Sequence, residues 1–171
     1  MGFFKPTTES KTVLSTAYKL MVEKTLADGT KKIEQIGAAQ KMNPSERRDL
    51  TESFQIGDFS GDPFELVPSL VRDKTLEIDR LSLYKKSMLE VFGDDGIVTL
   101  SQQDKPFVIY EGRGDPTSDT EKFDVVVIYD GCWIKSYSAT RDIARGDIRE
   151  MQSTTIGYRK ATSSKGLPTG V

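Results

Sequence analysis

RDKTLEIDRLSLYKKSMLEVFG, residues 72–93, decides how the rest of the chain is read. Leu76 and Ile78 sit two apart, the spacing of one strand face. After Asp79–Arg80 the phase slips, and Leu81 and Leu83 take over. Met88, Leu89 and Phe92 then fit a helical stripe, and Gly93 can supply the left-handed residue that stops it. The stretch predicts a strand running into one helix over about residues 85–92. Almost everything outward from it reads as strand. The expected fold class is mainly β: a small β-barrel or sandwich with one flanking α-helix and a long inter-strand loop.

Toward the N-terminus, Tyr18, Leu20 and Val22 share one strand face, with Lys19 and Glu23 opposite, so this hairpin should be charged along one side. Asp28–Gly29 predicts a type I′ turn into a second strand over 31–36. Asn43-Pro44-Ser45-Glu46 has the form of a helix start, but no apolar stripe follows, so it predicts one turn at most. Residues 46–70 read as a long connection that carries Leu50, Phe54, Ile56, Phe59, Phe64, Leu66 and Val67. A connection this long and apolar either folds back over its own core or serves a function.

Toward the C-terminus, strands are expected at Ile97–Ser101 and Phe107–Glu111, joined through Asp104-Lys105-Pro106. Residues 112–122 read as a polar, acidic loop. Phe123–Tyr129 is the most apolar strand and should be covered on both faces. Asp130–Gly131 predicts a second hairpin turn into Cys132–Tyr137, and a last strand falls near Glu150–Arg159. The domain reading is a flexible N-terminal arm at 1–14, a β domain at 15–160 and a loose C-terminal tail at 161–171.

With 171 residues, one domain with a sizeable core is expected. The chain has no histidine, which removes the commonest general base and metal ligand. Its single cysteine, Cys132, excludes an intrachain disulfide and a cysteine zinc site. No catalytic residue, cofactor or metal site is therefore expected. Net charge is −2 but uneven: residues 51–130 are strongly acidic, and the segments on either side are net basic. No apolar run is long enough for a membrane span, and the N-terminus has no signal-peptide pattern, so synthesis in the cytoplasm is the expectation.

The remaining motifs read as structure. The two Arg-Gly-Asp triplets, Arg113–Asp115 and Arg145–Asp147, are turn chemistry. Asp58, Asp62, Asp94 and Asp95 lack the alternation of a calcium loop. Gly112 and Gly114 are not followed by the Lys-Ser/Thr of a phosphate loop. Glu77 and Asp79 share a strand face that solvation explains. Cys132 is expected in the core, and Trp133 as a packing or interface anchor.

One ordered set of features remains. A first hairpin leads to IGAAQKMNPSERRD, then to an interrupted connection, then to TLEIDRLSLYKKSMLEVFG. Strands follow, then YDGCWIKSYS and a closing strand after ARGDIREMQSTTIGYRK. Over roughly residues 17–160 this order resembles the tube protein of contractile-tailed bacteriophages, a fold shared with the type VI secretion tube protein. The resemblance implies a virion structural protein, not an enzyme. It implies hexameric rings stacked into a tail tube, inside a sheath, with the tape-measure protein and DNA passing through the lumen without specific binding. Tail sheath, tape-measure and baseplate proteins would be its partners, and the virion tail its location after synthesis in the host bacterial cytoplasm. It also assigns residues 46–70 to contacts between rings, with Leu50, Phe54, Ile56, Phe59 and Phe64 as the interface residues. The alternatives are another tail or baseplate protein, or a monomeric β-barrel module that binds a ligand or peptide. An enzyme built on lysine and carboxylates is the weakest reading. On the tube reading, Asp at Phe54 or Phe59 should block stacking, and Asp at Val126 or Val127 should unfold the subunit.

Overall fold

The computed structural model describes residues 18–36, 39–54, 63, 65–82, 87–93, 97–114, 123–144 and 147–164. Among these residues, eight strands and one α-helix follow in order: β1 (Tyr18–Thr25), β2 (Lys31–Gln35), β3 (Ala39–Ser53), β4 (Glu65–Ser82), α1 (Met88–Phe92), β5 (Phe107–Gly114), β6 (Phe123–Ala144), β7 (Asp147–Gly157) and β8 (Lys160–Ser164). Every pairing is antiparallel, in the order β2-β1-β5-β6-β7-β4-β3, with β8 added beside β6. The 22-residue β6 is the pivot. Its first half pairs with β5 and β8, its second half with β7. Two sheets thus share one strand and pack as a sandwich that does not close into a barrel.

The core lies between the two sheets. Val22 and Ile109 come from the first sheet, Leu76, Ile78 and Ile156 from the second, and all are fully buried. Period two holds along β4, where Leu76, Ile78 and Arg80 point inward. The apolar first half of β6 is covered on both faces, as its composition implies. Tyr129 joins the main core, and Val126 joins a second cluster with Met21 and Tyr110.

Helix α1 closes one mouth of the sandwich, and strand side chains hold both of its ends. Ser87 and Glu90 form a capping box: Glu90 N–H donates to Ser87 Oγ (3.3 Å), and Ser87 N–H donates to Glu90 Oε2 (3.0 Å). The Met88 N–H donates to Gln152 Oε1 on β7 at 2.8 Å. At the other end, Lys24 Nζ on β1 donates to the carbonyls of Glu90 (2.7 Å) and Gly93 (2.8 Å). A cation at a helix C-terminus answers both the orphan carbonyls and the negative end of the dipole. The ring of Phe92 stacks on Phe107, centroids 4.9 Å apart. A helix of five residues would not form alone, so these contacts make it.

Several local expectations are corrected. Gly93 does not adopt the left-handed conformation, its φ being −115°. Its place is steric, since a Cβ there would lie 2.4 Å from Ile97 Cδ1. The first hairpin is not charged along one side, because Lys24 is buried in the phase of Leu20 and Val22. Its turn is not type I′: only Gly29 has positive φ, and Gly29 N–H donates to Leu26 O, giving a three-residue loop with a glycine bulge. Asp130–Gly131 is not a hairpin. β6 runs through it with one extra residue, because Ile109 pairs with Tyr129 while Phe107 pairs with Cys132. The Asp-Gly signal records a local backbone preference, met here by a bulge with Gly131 at φ +66°. Asn43-Pro44 lies inside β3 and starts no helix. The region after Ile97 holds a 3-10 turn, Leu100–Gln102, in place of a strand. Residues 161–164, expected in the loose tail, belong to β8.

Candidate assembly edges and arm

The second sheet, β6-β7-β4-β3, has a free edge on each side among the described residues. β3 ends the strand order, and the second half of β6 pairs only with β7. The directions alternate across its four strands, so the two edges run opposite ways. Long unpaired edges are sites for pairing with another chain.

Within residues 46–70, read as a loop, residues 46–53 and 65–70 are corrected to strand, and they pair as an arm. Arg47 pairs with Arg72, and pairing continues from Leu50↔Pro68 to Ser53↔Glu65. The arm leaves the body at a bulge where β4 carries an extra residue between Thr75 and Arg72, and Asp73 there has φ +52°. Asp is among the few residues that tolerate this region. Tyr158 ties the root to the body through a 2.8 Å hydrogen bond from its hydroxyl to Glu46 Oε1.

Of the expected interface residues, Leu50 lies on β3, 55% exposed, and Phe54 just past its end, 59% exposed. Ile56, Phe59 and Phe64 lie outside the described residues. The register places Leu50, across from Pro68, on the same face as Leu66, which pairs with Glu52. Leu70, 81% exposed, projects at a second bulge. A two-stranded ribbon exposing leucines has no reason to be stable on its own.

The outward face of the second sheet is mostly hydroxyl. Ser136, Ser138, Ser153 and Thr155 line it, with Asn43. Glu77 and Asp79 add carboxylates, and Asp79 accepts from Ser153 Oγ at 2.6 Å with Lys41 at 3.9 Å. Trp133 is 44% exposed at the start of the free β6 edge.

The titratable groups serve structure. Burial pushes the Cys132 thiol up to about 12, and its Sγ donates to Tyr129 O at 3.2 Å, so it is no thiolate nucleophile at neutral pH. Burial raises Glu23, but hydrogen bonds from Lys31 (2.7 Å) and Tyr110 (2.8 Å) outweigh it and hold the carboxyl below its usual range. Tyr158 is raised by burial and by its bond to Glu46. No cluster of metal-ligating side chains occurs among the described residues. The cavity bounded by Lys24, Phe92, Ile97 and Pro106 has about 10 Å³, room for one water.

Sequence reasoning missed three positions here: Lys24, Gln103, whose Oε1 accepts from the Ile134 N–H on β6 at 3.1 Å, and the edge placement of Pro44. Ser87-x-x-Glu90 was a readable capping signal for the helix start. The others had none, since their partners lie far along the chain.

No family model matches this chain, and no curated protein matches it by sequence. Its fold is that of tail-tube, tube-terminator and baseplate chains. A chain of the anti-feeding prophage baseplate superposes with a TM-score of 0.65 at 9% identity, over 91% of this chain and 97% of that one. A chain of the sheath-tube complex of an extracellular contractile injection system gives 0.60 at 12%, over 92% and 94%. The SPP1 tail tube protein gives 0.56 at 10%, over 92% and 82%.

Proposed function

We propose that this chain is the subunit of a tail tube, built as hexameric rings that stack. The observation that carries the reading is the pair of long, oppositely directed free edges on one four-stranded sheet. β3 of one copy beside β6 of the next continues the antiparallel alternation, and a head-to-tail interface of this kind closes into a ring. Closure satisfies both edges at once.

The outward face of that sheet then lines the lumen. Hydroxyls with few cations offer phosphate little counterion release, so DNA would slide without specific binding. The arm reaches the adjacent ring, with Leu50, Phe54, Ile56, Phe59 and Phe64 as the contact residues. Sheath, tape-measure and baseplate proteins are the further partners, and the virion tail is the location. A tube terminator or baseplate ring protein is the second reading, favoured by the likeness to a baseplate chain.

Negative-stain microscopy and sedimentation of the purified chain test the first reading. Rings or tubes are expected. A single monomer boundary at every concentration sinks it, and single rings that never stack favour the terminator or baseplate reading.

A further inference from the structure

The two free edges of the second sheet each carry a defect, and the defects lie in the same row. On β3 the defect is Pro44, paired with Leu76. Proline has no N–H, so this pair is of the kind in which neither residue bonds across to the other. Leu76 therefore turns its N–H and C=O toward β7, and Pro44 turns its carbonyl outward with no donor beside it. Alternation carries the assignment across the sheet. Leu76 bonds Ile156, and Ile156 stands opposite Ile134 on β6, whose backbone groups then face outward. A side-chain bond agrees independently: Ile134 N–H leaves the sheet and donates to Gln103 Oε1 at 3.1 Å. One edge lacks its donor in this row, and the other edge has its donor already taken. Immediately beyond, β6 carries an extra residue, Lys135, between Ile134 and Ser136.

We infer that Pro44 and the Gln103-capped Ile134 are paired stops that set the register in which β6 of one copy meets β3 of the next. This rests on the ring reading and adds to it a specific alignment. With the stops face to face, the ladder between copies ends at both edges in one place. Asn43 then lies opposite Ser136, and Lys41 opposite Ser138. Shifts of two residues in either direction keep the alternation, so hydrogen bonding alone does not exclude them. They do separate the defects. Pro44 then leaves an unanswered carbonyl inside the ladder, and Ile134 with its Gln103 cap obstructs a second position.

Disulfide trapping reads this directly. Asn43, Lys41, Ser136 and Ser138 are exposed, and Cys132 is buried and protonated, so engineered thiols react alone. In aligned copies Asn43 and Ser136 form a pair without bonds between them, the kind with the closest Cα atoms. The N43C/S136C chain, assembled under reducing conditions and then oxidised, is expected to give covalent oligomers up to ring size on non-reducing gels. N43C/S138C and K41C/S136C, the two neighbouring registers, are expected to give at least tenfold less. Adding Pro44→Thr and Gln103→Ala should let a neighbouring register cross-link as well. Rings that cross-link only in a shifted pair overturn the alignment and leave the ring reading standing. Normal alignment that persists without Pro44 and Gln103 overturns their role as stops. A reduced chain that forms no rings overturns both.

Discussion

Two ends of β4 show how differently one strand can be used. At residue 76 a leucine is fully buried between two sheets. Six residues earlier, Leu70 is 81% exposed on an arm that both faces leave open. Around α1, the buried lysine and the buried glutamine both answer backbone groups. Along the arm the strands answer each other, and beyond Glu46 at its root the side-chain bonds of Arg47 to Asp49 and of Ser69 to the Leu70 carbonyl stay within the arm. The body is therefore shaped for the isolated chain. On the reading proposed above, the arm and the free edges find their partners on another chain.

The sharpest way to break that contrast is to make the same truncation at both ends. Leu76→Ala should cost about 2–5 kcal/mol in urea melts, the usual range for a buried leucine. Leu70→Ala should fall within about 0.5 kcal/mol of the parent, as exposed sites do. Leu70→Asp and Phe54→Asp should then leave the melt intact and remove stacking in sedimentation. If either Asp variant stacks normally, the arm is not the contact between rings.

A smaller effect is expected at the helix clamp. Lys24→Met keeps the side-chain stem but leaves two part-buried carbonyls unanswered, for a loss of about 1–3 kcal/mol. Hydrogen exchange should rise in α1 ahead of global unfolding. A neutral outcome would mean that the capping box, Gln152 and the packing of Phe92 hold the helix without Lys24.

At the root of the arm, Tyr158→Phe removes the hydroxyl bond to Glu46 and should cost about 1 kcal/mol. Exchange protection should drop in residues 46–53 more than in the core. Equal loss everywhere would make the arm part of the body's folding unit.

The smallest effect is a pH dependence. The folded-state pKa of Glu23 is depressed by Lys31 and Tyr110, against the effect of burial. Its contribution is thus complete above the ordinary glutamate range and disappears as pH falls through the depressed value. Glu23→Gln should lower stability at neutral pH and flatten the loss of stability below about pH 4.5, the ordinary value. Parallel acid-melt curves for the two proteins would contradict it.

Much of the body was legible because its signals are local. The period-two run at Leu76 and Ile78 and the apolar run at 123–129 each declare a face without reference to the rest of the chain. The failures share a cause. Asp130–Gly131 and Asn43-Pro44 offer backbone conformations that two structures can use, and tertiary pairing chose the bulge and the edge strand. Pro68, one of the breaks in residues 46–70, describes a loop until a partner strand lies alongside. Of the expected interface residues, Leu50 on β3 and Phe54 just past its end are exposed, and that strand was not foreseen.

Sequence alone determined that this chain is mostly strand with one short helix and that Cys132 packs inside. Those properties depend on neighbours along the chain and on the aversion of apolar side chains to water. Only the tertiary structure decided that Lys24 and Gln152 hold a helix, and that Pro44 and Ile134 stand in one row at opposite edges. Hydrogen bonds across a sheet join residues tens of positions apart, and the pairing that aligns them is set by the packed whole, where every buried donor and acceptor has to be satisfied together.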